Sequence, residues 1–220
     1  FVSFKKFLAK VDNPNEYKLY CHTSFPDAGW NIPELIVSHG IASHVLFTYI
    51  CTETKQCFAS PFVGSKAKSP FSNKNTAVLC SVKNGLSNHQ LASIVNMFDV
   101  YIQYANSEGF GLPQVEAAAC GVPVMSIDYS AMSSVVRQLN GIPLKPIALY
   151  KEMETGCMRA VPDNNLTVKA LINFFSKTKK QQEWDGENTR KQFLKHFQWD
   201  QTGKMWERYF DTVEILPEEL

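Results

Sequence analysis

Asp99-Val-Tyr-Ile-Gln-Tyr104 and Val122-Pro-Val-Met-Ser-Ile127 are short, nearly unbroken apolar runs, and between them lies Asn106-Ser-Glu108-Gly109-Phe110-Gly111-Leu112-Pro113-Gln-Val-Glu116-Ala-Ala-Ala-Cys120-Gly121. The two runs read as buried strands, and Pro113 to Cys120 as a helix that Gly121 stops. A loop at 105–112 joins the first strand to the helix. Strand, loop, helix and strand in that order form the crossover unit of a parallel sheet, whose ligands sit beyond the carboxyl ends of the strands.

The same alternation extends outward. Phe1, Phe4, Leu8 and Val11 recur at helical spacing, as though the chain is entered within an amphipathic helix, so further chain is expected upstream. Tyr17 to His22 reads as a strand, Pro26-Asp27-Ala28-Gly29 as a loop, Asn31 to Ser38 as a capped helix stopped by Gly40, and His44 to Ile50 as a strand. From 51 to 74 periodicity vanishes among Ser, Lys, Pro, Gly and Asn, which predicts an irregular insertion. Thr76 to Val82 resumes as a strand. Ser87-Asn-His-Gln90 opens a helix, Ala131 to Leu139 forms another, and helices are expected over Leu166–Ser176, Thr178–His196 and Asp200–Ile215. The fold class is therefore α/β, a doubly wound parallel sheet with an insertion and terminal helices at about 165–215.

Composition narrows the function. Of 220 residues, 45% are hydrophobic, 20% charged and 12% aromatic, which are globular proportions. Lys and Arg total 22 against 21 Asp and Glu, so the net charge of +1 lacks the basic footprint of a nucleic-acid binder. No apolar run reaches the roughly eighteen residues a membrane span needs. Six scattered cysteines, Cys21, Cys51, Cys57, Cys80, Cys120 and Cys157, fit reduced thiols in a cytoplasmic setting.

The turn between the two strands carries the chemistry. Gly109 and Gly111 let backbone N–H groups approach a ligand, and Pro113 at the helix start leaves the helix end open. Unpaired amides and the positive end of the helix dipole suit a diphosphate, including one that gains charge as it departs. Glu108 precedes the turn and Glu116 falls on the first helical turn, flanking the anion position. Glu116 is placed to accept from a ribose diol, and Glu108 to accept sugar hydroxyls or stabilise positive charge. Equally open on physical grounds, Glu108 caps the turn and Glu116 complements the dipole. A dinucleotide fingerprint fits poorly: Gly109-x-Gly111 and Asp128 match it, but Gln114 stands where it needs a third glycine.

Glu108-x7-Glu116, filled by Gly-Phe-Gly-Leu-Pro and followed by Ala-Ala-Ala-Cys-Gly-Val-Pro-Val, resembles the donor signature of family 4 glycosyltransferases, retaining enzymes of GT-B architecture. A weaker likeness runs from Phe1 to about Phe210. The resemblance implies a Rossmann-like, nucleotide-sugar-binding carboxyl-terminal domain over residues 1–220 and transfer of a sugar with retention. It also implies no metal and no cofactor beyond a UDP-, GDP- or ADP-sugar substrate. Glu108 would contact the donor sugar as the catalytic residue. The backbone of Gly109, Phe110, Gly111 and Leu112, with Pro113, would hold the sugar and diphosphate, and Glu116 the ribose. The acceptor would be a carbohydrate, a lipid or a protein.

Three departures from the family accompany the match. Ser130-Ala131-Met132-Ser133-Ser134 replaces the usual Gly-Gly pair and glutamate. The Arg and Lys expected just before the first helix, and the amino-terminal acceptor domain, are not in this sequence. The chain thus reads as the donor half of a two-domain enzyme, of low activity alone; the alternative is an inactive sugar-nucleotide-binding or interaction module. Cys51, Cys57 and Cys80 surround the insertion without a CxxC pair, so buried or exposed thiols are expected there rather than zinc. His22, His39, His44, His89 and His196 make no metal motif, and the aromatics Phe174, Phe175, Trp199, Trp206, Tyr209 and Phe210 read as helix-packing material or as a seam against the amino-terminal domain.

Overall fold

The computed structural model describes residues 1–26, 29–72 and 74–214. Asp27 and Ala28 of the expected loop, and the expected helix end at Ile215, lie outside them. The chain forms two compact units: Phe1–Ile94 with Asn164–Ser176, and Val95–Asp163 with the chain from Lys177 onward.

The first unit is built on β2 (Val45–Cys51), which is buried along nearly its whole length. Beside it lies β1 (Leu19–Cys21), parallel and in the register Leu19 to Val45. The connection between them contains α2 (Ile32–Ser38), whose cap is Asn31: its side chain accepts from the Glu34 N–H at 3.3 Å. The region 51–74 is less irregular than its composition suggests. β3 (Cys57–Ser60) returns against β2 as an antiparallel partner, and β4 (Lys66–Ala67) pairs with β5 (Ala77–Leu79). Because these strands are reached by hairpin-like turns rather than crossover helices, β5 also meets β2 antiparallel. Phe47, Tyr49, Ile36, Ile41 and Leu79 form the core beneath this sheet.

Three helices complete the unit. α1 (Val2–Leu8) packs on α6 (Asn164–Phe175), where Phe7, Tyr17 and Phe175 meet ring against ring at 4.9–5.6 Å. α3 (Asn88–Val95) starts in the expected capping box: the Ser87 hydroxyl accepts from the Gln90 N–H and the Gln90 side chain accepts from the Ser87 N–H.

The second unit holds a parallel three-stranded sheet, β6 (Tyr101–Gln103), β7 (Val124–Ile127) and β8 (Ile142–Leu144), ordered 6-7-8. α4 (Leu112–Ala119) and α5 (Ser130–Gln138) are its crossover helices. Val124, Met125, Ile127, Met132, Val136 and Leu139 are buried between sheet and helices. α7 (Lys179–His196), started by a Thr178 capping box, packs on α4. Their contact is backbone to backbone, since a Cβ added to Gly186 would stand 2.1 Å from the Gly121 carbonyl oxygen. An antiparallel hairpin, β9 (Ala148–Lys151) with β10 (Met158–Val161), occupies the stretch whose sequence pattern was mixed.

The last helix is α8 (Trp199–Thr212). None of its residues is buried; Trp206 stacks on Phe210 and meets Tyr209 edge-on, so these aromatics cover one another instead of packing a core. Phe174, by contrast, is 1% exposed.

Candidate functional site

The site is built where β6 ends and α4 begins. Gly111 takes a left-handed conformation (φ +80°) as the residue preceding α4, so the helix starts at Leu112, one residue earlier than its sequence suggests. Pro113 is consequently the second helical residue, and Glu116 falls in the second turn instead of the first. Glycine is required here both by the left-handed backbone and because Gln114 folds back against it: its Nε2 donates to the Phe110 carbonyl at 3.1 Å, and a Cβ on Gly111 would stand 2.7 Å from that nitrogen. Gln114 is fully buried and its Oε1 has no hydrogen-bond partner among the described residues.

Above this lock, the N–H groups of Gly109, Phe110, Gly111 and Leu112 carry no intrachain hydrogen bond among the described residues. Four adjacent amides at the positive end of a helix, with no protein acceptor among the described residues, have the chemistry to hold an anion. The Phe110 ring is held edge-on against Phe197, just past α7, at 6.1 Å.

Glu108 is half-buried and held from two directions. Its Oε1 accepts from Gln103 Nε2 at 3.1 Å, and its N–H donates to the Ser130 hydroxyl at 3.0 Å. Gln103 is oriented in turn by Tyr101, whose hydroxyl donates to Gln103 Oε1 at 2.6 Å. Tyr101 and Gln103 lie two apart on β6 and share a face. The Tyr101 phenol is pushed well above its ordinary value by burial first, then by the negative charges of Glu108 and Glu116. Tyr101 therefore stays a neutral donor. Glu116 itself is exposed.

Gln103, Tyr101, Gln114 and Ser130 are the residues that sequence reasoning missed. Gln103 left a trace, as an amide at the carboxyl end of an otherwise apolar strand; Gln114 and Ser130 stood out only as departures from expected glycines, and Tyr101 left none. Asp128, the acidic residue of the dinucleotide pattern, is committed elsewhere. It accepts from the Ser133 hydroxyl and the Arg137 guanidinium, both at 2.6 Å, tying down α5.

The profile of the family described as glycosyl transferases group 1 matches residues 65–192, well over half of the chain. The chain belongs to the group 1 glycosyltransferases. The match spans β6, the 105–111 turn, α4 and most of α7, so the elements that carry Glu108 and Glu116 are elements of this glycosyltransferase domain. Group 1 glycosyltransferases use nucleotide-sugar donors. Among solved structures the domain resembles sucrose-phosphate synthase from Thermosynechococcus elongatus, with a TM-score of 0.58 at 16% identity over 96% of this chain. That likeness is one of fold, part of a GT-B glycosyltransferase. The chain spans 42% of the length of that protein. No curated protein sequence matches it.

Outside this region, the first unit has a cavity of about 280 Å³ lined by His22, Ser24, Cys80, Ser81, Leu86 and Leu91, among others. His22 Nδ1 lies 2.9 Å from the hydroxyl of buried Thr48, and burial lowers the His22 pKa. Cys51, Cys57 and Cys80 carry free thiols; Cys51 is buried with Sγ 3.5 Å from the Thr76 hydroxyl. Among the described residues no three His, Cys, Asp or Glu side chains gather to hold a metal ion, and no helix is long and apolar enough to cross a membrane.

Proposed function

We propose that this domain binds a nucleoside-diphosphate sugar and transfers the sugar, with retention of configuration, to a carbohydrate, lipid or protein acceptor. One observation carries the reading: among the described residues, four consecutive amides at the start of α4 have no protein acceptor, and they follow directly on Glu108, whose carboxylate is tethered by Gln103 and whose backbone is tied to Ser130. In this reading the N–H groups of Gly109 to Leu112 receive the diphosphate. As the glycosidic bond breaks, charge grows on the departing phosphate oxygen, and fixed amide dipoles stabilise that charge without rearrangement. Glu108 accepts hydroxyls of the donor sugar and stabilises the positive charge that develops on its ring. Glu116, exposed on the second turn, accepts from the ribose diol. With amides and a helix end facing the phosphates, the proposed reaction needs no metal.

Because the chain spans less than half of its structural match, we take it as the donor-binding part of a two-domain enzyme. Its free thiols support a reducing, cytoplasmic setting. Assay of the full-length protein with UDP-, GDP- and ADP-sugars tests the whole reading. Binding without transfer or donor hydrolysis would make it a nucleotide-sugar-binding module instead. Glu116→Ala should weaken nucleoside-diphosphate binding by about 1.5–3 kcal/mol, through loss of charge-assisted hydrogen bonds. Titration calorimetry measures this, and an unchanged affinity would remove the role given to Glu116.

A further inference from the structure

The connection from β7 to α5 turns sharply and holds one strained residue. Asp128 donates its N–H to Leu144, Tyr129 is extended and closes a tight turn by donating to Ile127 at 2.8 Å, and Ser130 then takes a left-handed conformation with φ +50°. Left-handed backbone is natural to glycine and unfavourable for a serine, and such strain persists only where surrounding structure imposes it. It does not serve the capping of α5, which has no side-chain cap hydrogen bond at its start. What the distortion does is aim the Ser130 hydroxyl at the Glu108 N–H, 22 residues earlier in the chain.

We infer that Ser130 is a positioning residue for the donor site: its hydroxyl fixes the backbone of Glu108 and so sets the angle at which the 108–111 turn presents its carboxylate and its amides. The side chain of Glu108 is anchored by Gln103 and its main chain by Ser130, two restraints at nearly opposite ends of one residue. Without the second, Glu108 can pivot about the Gln103 contact and carry Gly109 with it. Two further bonds brace the same loop and connection against the β9–β10 hairpin: Ala160 N–H donates to the Asn106 carbonyl at 2.9 Å and the Tyr129 hydroxyl to the Met158 carbonyl at 3.0 Å. The Ser130 hydroxyl ties the two loops directly. A misplacement of about 1 Å at a reacting group costs up to a hundredfold in rate.

This inference rests on the donor-transfer reading above, and the test separates the two. In the full-length protein, Ser130→Ala removes the hydroxyl and keeps the strain, whereas Ser130→Gly removes both. Both should lower kcat/KM for sugar transfer by about tenfold or more, mainly through kcat, and both should speed amide hydrogen exchange at Glu108, read by NMR. Ser130→Gly should do so without lowering Tm, because it relieves the left-handed strain. A purely structural serine would make activity follow Tm, so the glycine variant would be as active as wild type. Wild-type-like kcat/KM in either variant, or unchanged exchange at Glu108, overturns the role of Ser130 while leaving the transferase reading intact. A wild-type protein with no transfer from any nucleotide sugar overturns both.

Discussion

Gly111→Ala puts the turn to a quantitative test. Alanine in the left-handed conformation at φ +80° costs roughly 1–2 kcal/mol relative to glycine. Its methyl would also stand 2.7 Å from Gln114 Nε2, so the buried amide must leave the Phe110 carbonyl, at about 1–3 kcal/mol for a polar group stranded without a partner. The narrower unfolded ensemble of alanine returns about 0.4–1 kcal/mol. The balance is a destabilisation of roughly 1–4.5 kcal/mol, a sizeable share of the ~5–15 kcal/mol that holds a domain together. Gly109→Ala is the internal control: its Cβ meets nothing within 4 Å and its backbone is not left-handed, so its stability should stay within about 0.5 kcal/mol of wild type. Equilibrium urea denaturation of both variants measures the difference. Adding Gln114→Ala to Gly111→Ala should yield less than the sum of the single losses, since the obstructed side chain is then gone. If Gly111→Ala proves no less stable than Gly109→Ala, the account of Gln114 as the lock beneath the turn is wrong.

Two predictions concern the scaffold. Gly186→Ala should destabilise by about 1–3 kcal/mol, toward the upper figure because the obstacle is the Gly121 carbonyl and not a flexible side chain; an unchanged thermal midpoint would contradict the close approach of α7 to α4. For His22, burial lowers the pKa, so the unfolded chain binds protons more readily than the folded one. Its stabilising contribution is complete above the unfolded value of about 6.5 and declines as pH falls through it. The thermal midpoint of wild type should therefore drop more between pH 7.5 and 5.5 than that of His22→Gln, and an equal or larger drop in the variant would refute the assignment.

The sequence announces most of the second unit because its signals are local. Apolar strands, a glycine turn and a proline near the helix start specify β6, α4 and β7 without help from distant residues. Gly121 (φ +77°) stops α4 where its type predicts. What stayed hidden depends on distant pairings or on backbone angles. The start of α4 shifted because the conformation of Gly111 responds to Gln114, and Ser130 is joined to Glu108 across 22 residues. Likewise, the region 51–74 looked irregular because β3 and β4 are too short to show alternation, and they become strands through the edges that β2 and β5 offer. The aromatic spacing of α8 suits a buried helix and an interdomain seam alike, and spacing cannot tell a side chain that packs a core from one that stacks on its own helical neighbours.

The relay from Tyr101 through Gln103 divides the labour between the two oxygens of Glu108. Oε1 is tethered inward, while Oε2 takes no hydrogen bond from the protein among the described residues. The tether also has a polarity: a phenol that remains protonated gives its hydrogen to the amide oxygen, so the amide nitrogen must face the acid. A reversed amide would set its oxygen against the carboxylate. Glu108 thus behaves as a bracket with one arm bolted to the strand and the other extended, and any incoming hydroxyl meets a lone pair whose direction the strand beneath has already chosen.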